Sequence, residues 1–160
     1  MMYVGVRGNQ MTSPNLIPQA AAIPFRLQSN GSVDIMLIRW AKESTWGIPK
    51  GLVDPGNDHR ETAIIEAMEE AGIEGVLLKD PLGEFTYAKY RGYCRVQVFG
   101  MKVLKLYDEY EEKGYRVRSW FPLEEAIRSV SREAVKPIIT DLGRKIETGT
   151  IAELMLTHTR

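Results

Sequence analysis

No stretch restricts the fold more than Gly51 to Ile73, GLVDPGNDHRETAIIEAMEEAGI. Its first third is punctuated by Gly51, Pro55 and Gly56, and it closes a loop from about residue 41 that also holds Gly47 and Pro49. A loop of that length in a compact domain is often functional. From Asp58 the pattern turns helical, with Ala63, Ile64, Ala67, Met68 and Ala71 recurring on one face. Asn57 or Asp58 can cap its start, and Gly72 supplies a stop. At ~100° per residue, Glu66, Glu69 and Glu70 fall within an arc of roughly 100°, opposite much of the apolar face. Three carboxylates crowd one stripe, and like charges that close raise one another's pKa unless something positive sits between them.

Oxygen ligands one helical turn apart suit Mg²⁺, for which Mn²⁺ can substitute. Mg²⁺ takes one or two carboxylates, keeps several waters and completes its shell with substrate phosphates. An isolated run of this kind could equally be a solvated acidic face. Other metal chemistry is poorly supplied. The single Cys94 excludes an internal disulfide and a Cys-rich zinc site, and His59 and His158 are far apart. Cys94 reads as a small buried strand residue, His59 as a residue without a chemical role, and Asp54 as a cap or turn residue.

The length, 160 residues, fits one domain. Lys plus Arg and Asp plus Glu number 21 each, so there is no basic surplus for blanketing a nucleic acid polymer or a membrane surface. No apolar run approaches the ~20 residues of a membrane span, and the first residues show no secretory pattern. A cytoplasmic protein is expected, as monomer or homodimer. Residues 1–17 read as a loose N-terminal segment, 18–148 as the domain and 149–160 as a tail. Ala20 to Leu27 and Val33 to Trp40 form a hairpin about Ser29-Asn30-Gly31. Strands are expected at 76–78, 84–90, 93–104 and 117–121, with Arg91-Gly92 turning the second into the third. YDEYEEK (107–113) is an acidic loop whose Asp108, Glu109, Glu111 and Glu112 read mainly as exposed. Pro122 opens a helix through Ile127, and another runs from about Arg132 to Ile146.

The stretch 51–73 resembles the Nudix box, G-x5-E-x7-R-E-U-x-E-E-x-G-U, with U a bulky aliphatic residue. Gly51, Glu66, Glu69, Glu70, Gly72 and Ile73 match it with the spacing intact. Asn57 stands where the family has Glu, Ile65 where it has Arg, and Ala67 is a small version of U. If the absent Glu and Arg normally pair, losing both leaves no unpaired charge and weakens only the orientation of a ligand. QAAAIPFR, VDIMLIRW and TWGIPKG before the box, and WFPLEEAI and VKP after it, resemble the diphosphoinositol polyphosphate phosphohydrolase and dinucleoside polyphosphate hydrolase branch.

The resemblance implies an α+β fold, an α/β/α sandwich with a mixed central sheet. It implies Mg²⁺-dependent hydrolysis of a diphosphate linkage in a phosphorylated small molecule. Glu66 and Glu70 are then metal ligands with a backbone carbonyl near Gly51, and Glu69 is the general base. The family divides the roles of Glu66 and Glu69 differently from member to member. Substrate candidates come from nine basic residues: Arg26, Arg39, Lys50, Lys89, Arg91, Arg95, Arg116, Arg118 and Lys136. Arg26, Arg39 and Lys50 should border the helix, Lys89 and Arg91 sit near a basic turn, and Trp46 either stacks on a base or anchors the loop. Trp40 and Trp120 are assigned to packing. An ADP-ribose or NDP-sugar pyrophosphatase is the second enzyme reading, disfavoured by the ~17 residues before the first core strand. A Nudix-like binding module without catalysis is favoured by Asn57 and Ile65 and disfavoured by the intact glutamates.

Overall fold

The computed structural model describes residues 16–149. In chain order these form β1 (Leu16–Leu27), β2 (Val33–Trp40), β3 (Lys50–Leu52), α1 (His59–Ala71), β4 (Ile73–Leu77), β5 (Gly83–Lys89), β6 (Gly92–Leu106), β7 (Arg116–Pro122), α2 (Leu123–Ser129) and α3 (Val135–Glu147). The described strands make one mixed sheet with the path β4-β6-β1-β2-β7, while β3 pairs with β1 and β5 with β6. β1 runs parallel to β6 and antiparallel to β2 and β3. The segments expected to be loose lie outside the described residues except at their inner edges. Leu16 and Ile17 already belong to β1, paired with Tyr93 and Cys94.

Strand alternation builds two cores. Ala21, Ile23 and Phe25 face one way, with Ile35, Leu37, Val96 and Val98, against Ile139 and Leu142 of α3. Ala20, Ala22, Met36, Ile38, Phe99 and Met101 face the other way, against Ala63, Ala67 and Ala71 of α1. The expected α/β/α sandwich is therefore the observed one. Alanine meets alanine where α1 crosses β1, so the helix axis approaches the sheet closely, and its glutamates reach the strand that carries Lys50.

α1 starts with a full capping box. The Asp58 side chain accepts from the Glu61 N–H at 2.8 Å, and the Glu61 carboxylate accepts from the Asp58 N–H at 2.8 Å. It ends at Gly72, whose φ of 65° is left-handed and whose missing Cβ leaves room for the Tyr110 and Arg118 side chains. Arg118 donates to the carbonyls of Ala71 and Gly72 at 2.8 and 3.2 Å, satisfying the helix end.

Three expectations need correcting. The helix face that α1 buries is Thr62, Ala63, Ala67, Glu70 and Ala71, while Ile64 is 44% exposed and Ile65 38%. The loop at 41–57 contains a strand, β3, whose three residues are held by pairing with Gln19, Ala20 and Ala21. The β5–β6 turn is centred on Tyr90-Arg91, closed by the pair Lys89 and Gly92, rather than on Arg91-Gly92. Tyr90 and Arg91 have φ of 56° and 62°, positions where a hairpin normally takes Asn or Gly.

Candidate active site

β3 and α1 meet edge to face. The antiparallel β1–β3 ladder bonds Ala22 N–H to Pro49 O and Val53 N–H to Pro18 O, so by alternation the N–H and C=O of Gly51 face Ala20. Lys50 points its N–H the other way, and donates to Glu70 Oε1 at 3.3 Å. Gly51 lies directly against the Glu66 carboxyl group, which occupies the place a Cβ would take. That contact, rather than a turn, explains this glycine. Gly56 is the turn glycine, with a φ of 92° and open space around it.

Glu70 is 5% exposed, and its carboxyl is hydrogen-bonded to that of Glu66. Burial, then that hydrogen bond, push the Glu70 carboxyl up to about 9, against the pull of Arg116. Burial also raises Glu66, and Glu112, Asp54 and Glu111 add to the effect. Glu69 is raised by burial, then by Glu66, Glu111 and Glu112. Two carboxyl groups that share a hydrogen bond beside a cleft are relieved by a cation between them. The donor set, oxygen only and two carboxylates, fits a hard divalent ion that keeps waters. Among the described residues no three His, Cys, Asp or Glu side chains form a ready metal cluster.

The acidic loop is exposed at Asp108, Glu109 and Glu111, as expected, but Glu112 departs from that reading and reaches the site. Glu112 donates its N–H to the Glu69 carbonyl at 3.0 Å. Its carboxylate accepts from Arg116 Nε at 2.8 Å, and Arg116 Nη2 lies 3.4 Å from Glu70 Oε1. Arg116 is held on its other side by the Trp40 ring, 3.6 Å from guanidinium carbon to centroid. One arginine from β7 thus links the buried carboxylate to the loop.

A cleft of about 440 Å³ opens beside this pair, lined by Glu70 but not by Glu66 or Glu69. Its lining includes Lys50, Gly51, Glu70 and Glu112 at one end, and Arg39, Trp40 and Trp46 along the rim. Lys89, Tyr90 and Arg132 close the far side. Lys50 Nζ donates to the Tyr87 hydroxyl at 3.0 Å, which donates to Gln19 Oε1 at 2.9 Å. Burial first, then Arg132 and Lys89, bring the Lys50 ammonium down to about 8.

Of the substrate candidates, Arg39, Lys50, Lys89, Arg116 and Trp46 line the cleft. Arg39 donates to the carbonyls of Trp40, Ala41 and Glu43, which shapes the rim, and lies 5.1 Å from the Trp46 ring centroid. Trp46 also meets Phe121 edge-on at 4.9 Å, so it anchors the loop and faces the cleft together. Arg26 is a correction: it pairs with Asp34 at 3.0 Å and stacks on Trp120, away from the cleft. Arg91 is a second, at the turn tip and absent from the lining. Trp40 is a third, 44% exposed and at the rim instead of packed. Arg95 pairs with Glu84, and Lys136 donates to the last carbonyls of α2. Trp120 packs against the α1-side core and Cys94 is fully buried, as expected. Sequence reasoning missed Arg132, Tyr87 and Gln19 altogether, and no periodicity marks them.

The family description NUDIX domain matches residues 17–142. The chain belongs to the Nudix family, and it is a hydrolase of that family. A relative named diphosphoinositol polyphosphate phosphohydrolase 3-alpha, from Mus musculus, is 29% identical over 134 residues, covering 82% of this chain and 78% of its own. Nudix hydrolase 16, mitochondrial, from Arabidopsis thaliana, is 26% identical and covers 76% and 77%. Among solved structures, a C. elegans Ap4A hydrolase binary complex superposes with a TM-score of 0.68 at 22% identity, over 82% of this chain and 98% of that one. The NUDIX domain of Shewanella oneidensis NrtR complexed with ADP ribose gives 0.64 at 13% identity, over 82% and 89%. The branch expected from the flanking motifs is the one named by the diphosphoinositol polyphosphate phosphohydrolase relative and the Ap4A hydrolase structure.

Proposed function

We propose that the protein hydrolyses a diphosphate linkage in a phosphorylated small molecule, such as a diphosphoinositol polyphosphate or a dinucleoside polyphosphate, with Mg²⁺. The observation that carries this reading is the hydrogen-bonded Glu66–Glu70 pair beside a cation-rich cleft. A diphosphate resists water because negative oxygens shield phosphorus. Glu66 and Glu70 would hold the ion, and the carbonyl on their side of β3 is that of Lys50, because the Gly51 carbonyl faces Ala20. When bound, the ion supplies charge neutralisation on the phosphate oxygens and a lowered water pKa. Glu69 takes the proton of the attacking water, help that is typically worth ~10²–10⁴-fold. Lys50, Lys89, Arg39 and Arg116 bind and orient the phosphates, and Trp46 covers the rim.

Asn57 is exposed and Ile65 is 38% exposed, so the missing family pair leaves no buried charge unmatched. Arg116 restrains Glu70 from another element. Both points favour an active enzyme over a binding module. Among the described residues no helix is long and apolar enough to cross a membrane, and a cytoplasmic location belongs to the same proposal. The test is phosphate release from a panel of diphosphoinositol, dinucleoside polyphosphate and ADP-ribose substrates, with and without Mg²⁺. Metal-dependent turnover is expected, lost by at least ~10²-fold in Glu69→Gln and in Glu70→Gln with the fold retained. Full activity in both variants would falsify the assignment.

A further inference from the structure

Arg132 lies between α2 and α3, in a segment that no motif marks. Its guanidinium packs 4.0 Å from the centroid of the Tyr87 ring, and Phe85 lies beside it at 5.9 Å. The Lys50 ammonium approaches the same Tyr87 ring at 4.7 Å. Lys89 belongs to the same group, since it and Arg132 both act against the charge on Lys50. Lys50 and Arg132 therefore meet over one tyrosine, and Lys89, whose ammonium lies 4.8 Å from the Tyr90 ring centroid, joins them in the cleft lining. Among the described residues, none of the three forms an ion pair. Glu70 is the one carboxylate that acts on the Lys50 charge, and it is already engaged by Arg116. Like charges assembled on a partly dry wall repel, and a bound anion removes the repulsion.

The hairpin tip points to the same place. Tyr90 and Arg91 hold left-handed φ values without being Gly or Asn, and this turn brings Lys89 and Tyr90 into the cleft lining. Local strain of that kind is concentrated where a backbone serves a site. The cation group is also displaced from the carboxylates. Lys50 contacts Glu70 through its backbone N–H and Tyr87 through its ammonium, so one lysine side chain separates the two ends.

We propose that Arg132, with Lys50 across the Tyr87 ring and Lys89 beside them in the cleft lining, holds a substrate phosphate that is not part of the bond being broken. Arg132 is then a specificity-determining residue, and the cleft selects compounds with phosphate beyond a single diphosphate. The kinetic part of this rests on the hydrolase reading above; the binding part does not.

The test is calorimetric titration of inorganic tripolyphosphate and of pyrophosphate, in metal-free low-salt buffer, into wild type, Arg132→Gln and Arg132→Lys. Wild type binds tripolyphosphate more tightly than pyrophosphate. Arg132→Gln weakens tripolyphosphate by about 10- to 100-fold, the loss expected for hydrogen bonds to a charged group, and pyrophosphate by much less. Arg132→Lys recovers part of the difference. In turnover, Arg132→Gln raises KM for a dinucleoside tetraphosphate, leaves its kcat unchanged and leaves KM for ADP-ribose within about twofold. A folded Arg132→Gln variant that binds both anions as wild type does overturns the proposal. Arg132-dependent binding in a protein that hydrolyses nothing keeps the proposal and removes the hydrolase reading.

Discussion

Replacing Glu70 by Gln should abolish turnover and yet make the metal-free protein more stable. The Glu70 carboxyl is pushed by burial up to about 9, against 4.5 ordinarily. A raised carboxyl pKa means that its contribution to stability is complete below about 4.5 and is lost progressively as pH rises toward 9. At about pH 7.5, three units above the unfolded value, the penalty has a ceiling of about 4 kcal/mol. Glu66 shares the proton, and Arg116 and the Lys50 N–H stabilise the anion, so the realised penalty is about 1–2 kcal/mol. Gln keeps the shape, accepts from Lys50 and donates to Glu66 without a charge. Thermal melts of metal-free protein should show wild type losing stability between about pH 5 and 8, with Glu70→Gln melting roughly 2–8 °C higher near pH 7.5. Saturating Mg²⁺ should reverse the order, since ~100 Kd of ligand stabilises wild type by ~2.7 kcal/mol and the variant by little. A variant that melts below metal-free wild type at every pH, or that gains the same protection from Mg²⁺, refutes the reasoning.

Gly51→Ala places a methyl group where the Glu66 carboxyl sits, so turnover should fall ~10²-fold while the melting temperature shifts by only a few degrees; parallel rate and melting measurements check this. The Lys50 ammonium, lowered to about 8, carries its charge below that pH and loses it above, so kcat/KM should decline above about pH 8 and Lys50→Arg should carry the decline to higher pH. Arg26→Ala should leave KM within about twofold and cost about 1 kcal/mol of stability through Asp34, whereas Lys89→Ala should raise KM several-fold; substrate titrations with denaturant melts separate the two.

The helix and its ends were legible because they are local. Asp58, Glu61 and Gly72 satisfy backbone groups within a few residues, and their signatures need no partner. Which face α1 buries was less legible. Alanine is a weak apolar signal and the pattern puts Ile64 inside, but close packing on Ala20 and Ala22 selects the alanine stripe and takes Glu70 with it. β3 could not be read at all: Lys50–Leu52 has no strand pattern and exists because β1 offers it an edge. The basic residues show the same limit. Lys50 and Lys89 were reachable from their places beside the box and the turn, but Arg26 sits past the end of the cleft and is claimed by Asp34. Arg116, one of the nine basic candidates, and Arg132, which was not among them, enter through β7 and the α2–α3 connection, elements far from the box in sequence that the topology folds over it.

Crystals of the wild type and of Glu66→Gln/Glu70→Gln soaked in Mn²⁺ test the central claim most directly, through the anomalous signal of the ion. The account predicts a peak between the Glu66 and Glu70 carboxylates, on the α1 side of β3, that disappears in the double variant. A peak at another place that persists when both glutamates are replaced, in a protein still active with that metal, would contradict it.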